Sequence, residues 1–422
     1  MSSQPGAEVE LEDLRIPPGA AFQHRDFRFF QIARLSSIIS MEMQSVAVAW
    51  QVYQLTHRPL DLGYVGLAQF LPGIILFLPA GHAADRFDRR RVLLATNVVQ
   101  MVLAALLLWH ALLPKQSVAV ILAFMFASGV ARAFSGPASQ AILPEMVPER
   151  HFPNAVAWGS SIFMVSTIVG PALGGLIYAF GNGASTVYAL SSAMFLVTII
   201  AIEGLHVRTG RKEHKAASME TLLAGFHYVW QQKVILGSIS LDLMAVFLGG
   251  AVAMMPIFAS EILHTGAWGL GLLRAAPALG AALTGAAVAH WPVERRIGAV
   301  LLWCVTIFGV TTIWFGLSRS LRMSVLALFL LGASDMVSVI IRGTLVQITT
   351  PPEMRGRVAA VNLLFIGASN EFGEFESGVT AQWFGAVPAV VMGGVGTLLV
   401  VVLYMWRFPE LRSVDRYKER AI

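Results

Sequence analysis

Three carboxylates, Glu371, Glu374 and Glu376, fall within six residues in the stretch GASNEFGEFESG, Gly367 to Gly378. The flanks are apolar: VAAVNLLFI precedes the stretch, and a run ending in TLLVVVLY follows it. An acid in such a setting can carry a proton, bind a cation or hydrogen-bond a neighbouring helix. Glu371 and Glu374 are three residues apart, so they are neighbours on one helical face. Two adjacent carboxylates do not both ionise in a dry site, and one of the pair is expected to hold a proton. Glu376 lies two residues beyond Glu374 and projects to a nearly opposite face. It stays among the cavity candidates, with bonding to a neighbouring helix as its expected job. Glu42, in SMEMQSV, is another acid in an apolar run. For every one of these glutamates the competing reading is a hydrogen-bonded packing residue.

Composition defines the setting. Hydrophobic residues make up 56% of the 422 and charged residues 13%, against roughly 25% charged in soluble domains. Mean hydropathy is +0.67. The chain therefore reads as a polytopic membrane protein whose first partner is the lipid bilayer. A carboxylate at the bilayer centre costs at least about 2.5–3.5 kcal/mol, and taking up a proton is one escape. The net charge of +5 is small and scattered, which speaks against a nucleic-acid partner. A single cysteine, Cys304, excludes a disulfide framework or a cysteine metal site. His57, His82, His110 and His290 show no metal-ligand spacing. No G-x-x-x-x-G-K-[ST] loop is present, so ATP is not expected to drive the protein. No cofactor is implied, and no nucleophile–base set suggests an enzyme.

The elements that must position these acids are membrane-spanning helices of about 20 apolar residues. About twelve are expected, near 29–55, 62–83, 92–112, 118–140, 155–180, 184–204, 236–259, 268–289, 297–317, 323–346, 358–381 and 385–406. Their loops alternate in charge. One side holds Arg86, Arg89, Arg90 and Arg91, then Arg208, Arg211, Lys212 and Lys215, then Arg295, Arg296, Arg355 and Arg357. The tail adds Arg412, Arg416, Lys418 and Arg420 to that side, whereas the other shows only Arg58, Lys115, Arg319 and Arg322. The positive-inside rule places both termini in the cytoplasm. The opening MSSQPGAEVELEDLRIPPG is acidic and polar, unlike a signal peptide.

The expected organisation is a cytoplasmic tail over 1–28, a six-helix half over 29–204, a linker over 205–235, a second half over 236–406 and a tail over 407–422. In the linker, Leu222, Leu223, Phe226 and Trp230 recur at helical spacing, as in a short amphipathic helix at the interface. The halves resemble each other at a shift of about 204 to 208 residues: Gly81 matches Gly285, Pro72 matches Pro277, and VPERHFPNAV matches PPEMRGRVAA. Parallel repeats imply a pseudo-twofold axis along the membrane normal and a central site between the halves.

At the slightly larger shift of 208, Arg34 falls on Asp242. The two are expected to approach when the cytoplasmic side closes; a partner within its own half is the alternative for each. Arg34, Arg132 and Arg342 lie nearer the cytoplasmic ends of their spans, where long side chains can also snorkel. Asp335, seven residues before Arg342, is placed to pair with it through extended side chains. Gln44, Gln51 and Asn362 are weaker pore candidates. Met41, Met43, Met254, Met255 and Phe247 suit an adaptable apolar pocket, or simply lipid and core.

Two motifs carry a resemblance. GHAADRFDRRRV, over 81–92, resembles the cytoplasmic signature of the major facilitator superfamily through Gly81, Asp85, Arg86, Arg89 and Arg90. Asp88 stands where the broad pattern has glycine, which leaves the turn geometry open. GPALGG, with Gly170, Pro171, Gly174 and Gly175, is similar to the exporter motif of that superfamily. Small residues there let helices approach closely, and the proline bends the helix. FSGPASQAILPEMVPERHFPNAVAWGS, LLAGFHYVW, QITTPPEMRGRV and SNEFGEFESG look like the enterobactin exporter group and its drug-export relatives. The resemblance covers nearly the whole chain. It implies an all-α fold of 12 transmembrane helices in two six-helix halves, acting as a monomer in a bacterial inner membrane. It also implies export of bulky amphipathic organic molecules, siderophore or drug-like, in exchange for protons. A lipid or lysolipid flippase, or a facilitator or importer on the same fold, is the alternative.

Overall fold

The computed structural model describes residues 17, 19–207 and 219–417, except for the side chains of residues 78, 84, 85, 219–222 and 363. The basic linker cluster from Arg208 to Lys215, the side chains of Leu222 and Asp85, and Lys418 and Arg420 lie outside the described residues.

Apolar runs bounded by short polar turns build an all-helical bundle; no strand occurs among the described residues. The first half contains α1 (Arg25–Thr56), α2 (Pro59–Ile75) with α3 (Phe77–Arg86), α4 (Arg89–Ala111), α5 (Val118–Ile142), α6 (Phe152–Phe180) and α7 (Ala184–Glu203). A short helix, α8 (Met219–Gln231), precedes the second half. That half contains α9 (Lys233–Leu248) with α10 (Ala251–Ile257), α11 (Gly266–His290), α12 (Ile297–Leu317), α13 (Leu321–Thr349), α14 (Pro352–Phe384) and α15 (Ala386–Arg407). Counting α2–α3 and α9–α10 as single columns gives twelve membrane-crossing columns, six per half. The face where α1 begins and α15 ends is called here the terminal face, and the opposite one the distal face.

Nine columns among the described residues are both long and apolar enough to cross a membrane. The remaining three are α1, α2–α3 and α14. Polar and charged side chains such as Gln31, Arg34, Glu42 and Gln44 interrupt α1, and Asn362, Glu371 and Glu374 interrupt α14. Pro79 lacks the N–H that would close the turn at Ile75, so α2 stops after 17 residues and α3 restarts past Leu76. Poor hydropathy marks the helices that turn a polar face away from lipid.

Two seams join the halves. α6 packs against α11, and α2 packs against α14. The pairs are equivalent under the internal repeat, since the fifth column of one half meets the second of the other each time. Close approach is concentrated toward the distal face. A Cβ on Gly175 would lie 2.8 Å from the Cα of Gly271, and one on Gly378 would lie 3.3 Å from the Cα of Gly63. Nearer the terminal face, a Cβ on Gly81, Gly136, Gly343 or Gly356 would meet open space. At the distal ends of α1 and the α10 column, the Tyr53 hydroxyl donates to Glu261 Oε1 across the halves. The bundle is closed distally and open toward the terminal face.

Phe226 and Trp230 of α8 stack with ring centroids 6.1 Å apart, and Phe226 also meets Phe365 of α14 at 6.2 Å. Leu223, Phe226 and Trp230 are exposed on one side of α8. An apolar face of this kind suits a helix lying at the membrane interface.

Candidate transport site

A cavity of about 220 Å³ lies between the halves. α1 supplies Glu42 and Ser45, α2 supplies Gln69, α5 supplies Arg132, α11 supplies Arg274, and α14 supplies Glu371 and Glu374. Thus three carboxylates and two guanidinium groups converge on one polar space. Arg274 acts electrostatically on all three carboxylates, and Arg132 on Glu42 and Glu371. In a site of low dielectric such attractions are far stronger than in water.

Packing explains the convergence. Gly66 of α2 faces α14; a Cβ there would sit 2.8 Å from Glu374 Oε2 and 3.1 Å from Glu371 Oε2. The missing side chain is the room both carboxylates occupy. Gly170 does the same for α1, since its Cβ would lie 2.5 Å from that of Glu42. Arg274 Nη1 donates to Ser45 Oγ at 2.5 Å, bridging the halves. Arg132 Nη1 donates to Gln69 Oε1 at 3.3 Å, and Gln69 Nε2 donates to Met125 Sδ at 3.0 Å.

A second cavity of about 280 Å³ leads from the terminal side of the first half. Arg34, Ser37, Asn97 and Gln140 line it, and Met41 borders both cavities. Arg34 therefore stands in a vestibule below the central space, not in it. Its guanidinium lies 5.9 Å from the Phe30 ring centroid, and Gly159 of α6 leaves it room.

Several expected site residues lie elsewhere. Asp242 of α9 forms an ion pair with Arg342 of α13, and both side chains are buried. Asp242 thus takes the partner within its own half and is not paired with Arg34 in this conformation. Arg342 reaches the neighbouring helix, so the expected Asp335–Arg342 pair does not form: the two are on one helix, and Asp242 offers the nearer oxygen. Asp335 instead lines a separate cavity of about 280 Å³ within the second half, beside the break at Gly249 and Gly250. Glu374 borders that cavity as well as the central one. Glu376 is outside the central cavity. It accepts a hydrogen bond from Thr380 Oγ1 of its own helix at 2.6 Å, not from a neighbouring helix.

The arginines of the 81–92 motif brace the first half. Arg89 Nη1 contacts Glu145 Oε1 at 2.5 Å and the Ala141 carbonyl at 3.0 Å. Arg90 Nη2 pairs with Glu203 Oε2 at 2.9 Å, and Arg86 is exposed. Asp88 resolves the turn: its side chain accepts from the Arg91 N–H at 3.2 Å and caps α4. In GPALGG, Gly170 and Gly174 pack on Glu42 and Met43 of α1, whereas Gly175 and the Pro171 carbonyl pack on Gly271 of α11. The motif therefore links the cavity helix α1 to the opposite half.

Sequence reasoning missed Arg274. Its signal was present: a lone arginine in LLRAAPALG, eight residues into α11, hence about 12 Å from the distal end. Glu145, Glu203 and Glu261, the partners of Arg89, Arg90 and Tyr53, were missed too, because nothing in local spacing names a partner on another helix.

The sequence profile of the transmembrane secretion effector family, a branch of the major facilitator superfamily, matches residues 16–421. The chain belongs to that family. It is a multi-pass membrane transporter and not an enzyme. Among its relatives is the enterobactin exporter EntS of Citrobacter koseri, 27% identical over 402 residues, covering 92% of this chain and 93% of that one. EntS of Escherichia coli O1:K1 is 26% identical with the same coverage. Among solved structures, an inward-facing, occupied bacterial homologue of the human lysosomal transporter Spinster superposes with a TM-score of 0.74, at 14% identity, covering 93% of this chain and 99% of that one. The nucleoside transporter NupG gives 0.67 at 14% identity, covering 90% of this chain and 98% of that one. These likenesses give the major facilitator fold, two six-helix halves around a central space.

Proposed function

We propose that the chain exports bulky amphipathic organic molecules, of siderophore or drug-like type, from a bacterial cytoplasm in exchange for protons. The observation that carries this reading is the convergence of Glu42, Glu371 and Glu374 with Arg132 and Arg274 in one cavity at the seam. The terminal face is then cytoplasmic, as the arginine-rich loops favour, and the closed distal face makes this the inward-facing state.

Substrate enters through the vestibule past Arg34 and Met41. Its polar groups meet the arginines, and its apolar body meets Met41, Val65 and Met125. Protons and substrate occupy the carboxylates in turn: a loaded substrate displaces protons inward, and reprotonation from the outer side resets the site. Arg274, already bonded to Ser45 across the halves, senses which of the two is present. The EntS relatives, named as enterobactin exporters, support a siderophore within this class.

The test is accumulation of a compound panel, enterobactin included, in cells with and without the protein and with and without an uncoupler. Lower accumulation that depends on both the protein and the gradient is expected. Accumulation unaffected by the protein for every compound would contradict export, and protein-dependent efflux unaffected by the uncoupler would contradict proton coupling.

A further inference from the structure

A groove of about 630 Å³ runs along the outside of the second half, between α9 and α14. It shares no lining residue with the central cavity. Its size falls within the range of about 300–1,000 Å³ typical of small-molecule sites. Met244, Phe372 and Trp383 are exposed along it, so in a membrane protein it faces the bilayer. Phe247, Phe372, Phe375 and Trp383 supply aromatic surface, and Glu376 is the one ionisable side chain in the lining.

Depth is set by helix geometry. Glu376 is seven residues before Trp383 near the distal end of α14, about 10 Å farther into the membrane. A carboxylate there, facing lipid rather than the transport cavity, has no place in the proposed export cycle. One oxygen accepts from Thr380; the other has no protein partner among the described residues. Ionisable groups at such depth are costly and mark function by default.

We infer that this groove is a binding site for a lipophilic cation drawn from the bilayer. The ammonium or phosphonium centre rests between the Glu376 carboxylate and the aromatic faces, both of which attract cations. The apolar body lies along Leu243, Met244 and Ala368. An anion is repelled by the carboxylate, and a neutral amphiphile leaves it unpaired. The groove also touches the seam, because Phe372 meets Phe70 of α2 at 5.9 Å and Phe375 meets Tyr64 at 5.7 Å between centroids. Occupancy is thereby coupled to the α2–α14 packing that joins the halves.

The test uses the full chain in phosphatidylcholine nanodiscs and a dodecyltrimethylammonium probe with a tail diazirine, beside its uncharged dodecanol counterpart. Labelling by the cation concentrates on residues 243–247 and 368–383, on the order of tenfold above the neutral probe. Glu376→Gln removes most of that excess and leaves only the share the aromatic faces supply. Val379→Trp, which fills the groove and keeps the carboxylate, lowers labelling by both probes and decides the matter if Glu376→Gln does not insert. Cation labelling unchanged by Val379→Trp or by a folded Glu376→Gln, or spread evenly over all lipid-facing helices, overturns the site. Loss of labelling when phosphatidylethanolamine replaces phosphatidylcholine assigns the groove to a lipid amine and overturns it too.

Discussion

Arg342 is 2% exposed and Asp242 7% exposed, and they form an ion pair between α13 and α9. A buried pair adds little over well-packed apolar residues, yet removing one partner leaves an uncompensated charge. Arg342→Ala is therefore expected to destabilise the second half by about 3–5 kcal/mol, and Arg342→Met with Asp242→Leu to recover most of that loss. Thermal unfolding of the purified variants in nanodiscs checks both. Equal stability of single and double variants would show that the pair is not the cause. The acids of the central cavity have a different expected signature. Glu374 borders both the central cavity and the Asp335 cavity. Glu374→Gln is expected to abolish gradient-driven transport while exchange at equal pH survives. A variant that still responds fully to a pH gradient would remove Glu374 from the coupling path.

At the scale of helices, glycines decide where α6 can go. A Cβ on Gly175 would lie 2.5 Å from the Ala267 carbonyl oxygen, so Gly175→Val pushes α6 off α11 at the distal end. That variant is expected to insert normally, to populate distal-open conformations, and to lose transport. Spin-label distances between α6 and α11 measure it, and an unchanged distribution with normal transport would refute the role given to the seam. Asp88→Ala removes the cap on α4 and is expected to lower stability by about 1 kcal/mol, read by thermal unfolding. Most of this level was legible in the sequence. The spans, the repeat and the shared face of Glu371 and Glu374 follow from composition and helical periodicity, which are local properties. The polar interruptions of α1 and α14 marked two of the helices that line the cavity. What stayed hidden was rotation and partnership. Arg342 chose Asp242 on another helix over Asp335 on its own, and Arg34 settled in the vestibule, because helix packing sets which faces meet. Arg274 was legible and was overlooked: an arginine that deep in an apolar run cannot easily snorkel.

For the whole molecule, the conformational cycle rests on contacts that must break and form. The Tyr53–Glu261 bond ties the distal ends of the first columns of both halves. Tyr53→Phe is expected to shift the population toward distal-open, as a fall in the distal-closed fraction seen by spin labels across the distal face. The central claim joins this distal contact to the cavity: protons and substrate share the Glu371–Glu374 site in alternation. It is tested most directly in inside-out proteoliposomes, by uptake of the compound that cells expel best, with the lumen acidic and then at equal pH. The account predicts that an acidic lumen drives accumulation in the wild type. It predicts that the Glu371→Gln, Glu374→Gln double variant retains exchange but no longer responds to the gradient. Accumulation in the wild type that ignores the gradient, or a double variant that follows it undiminished, would contradict the account.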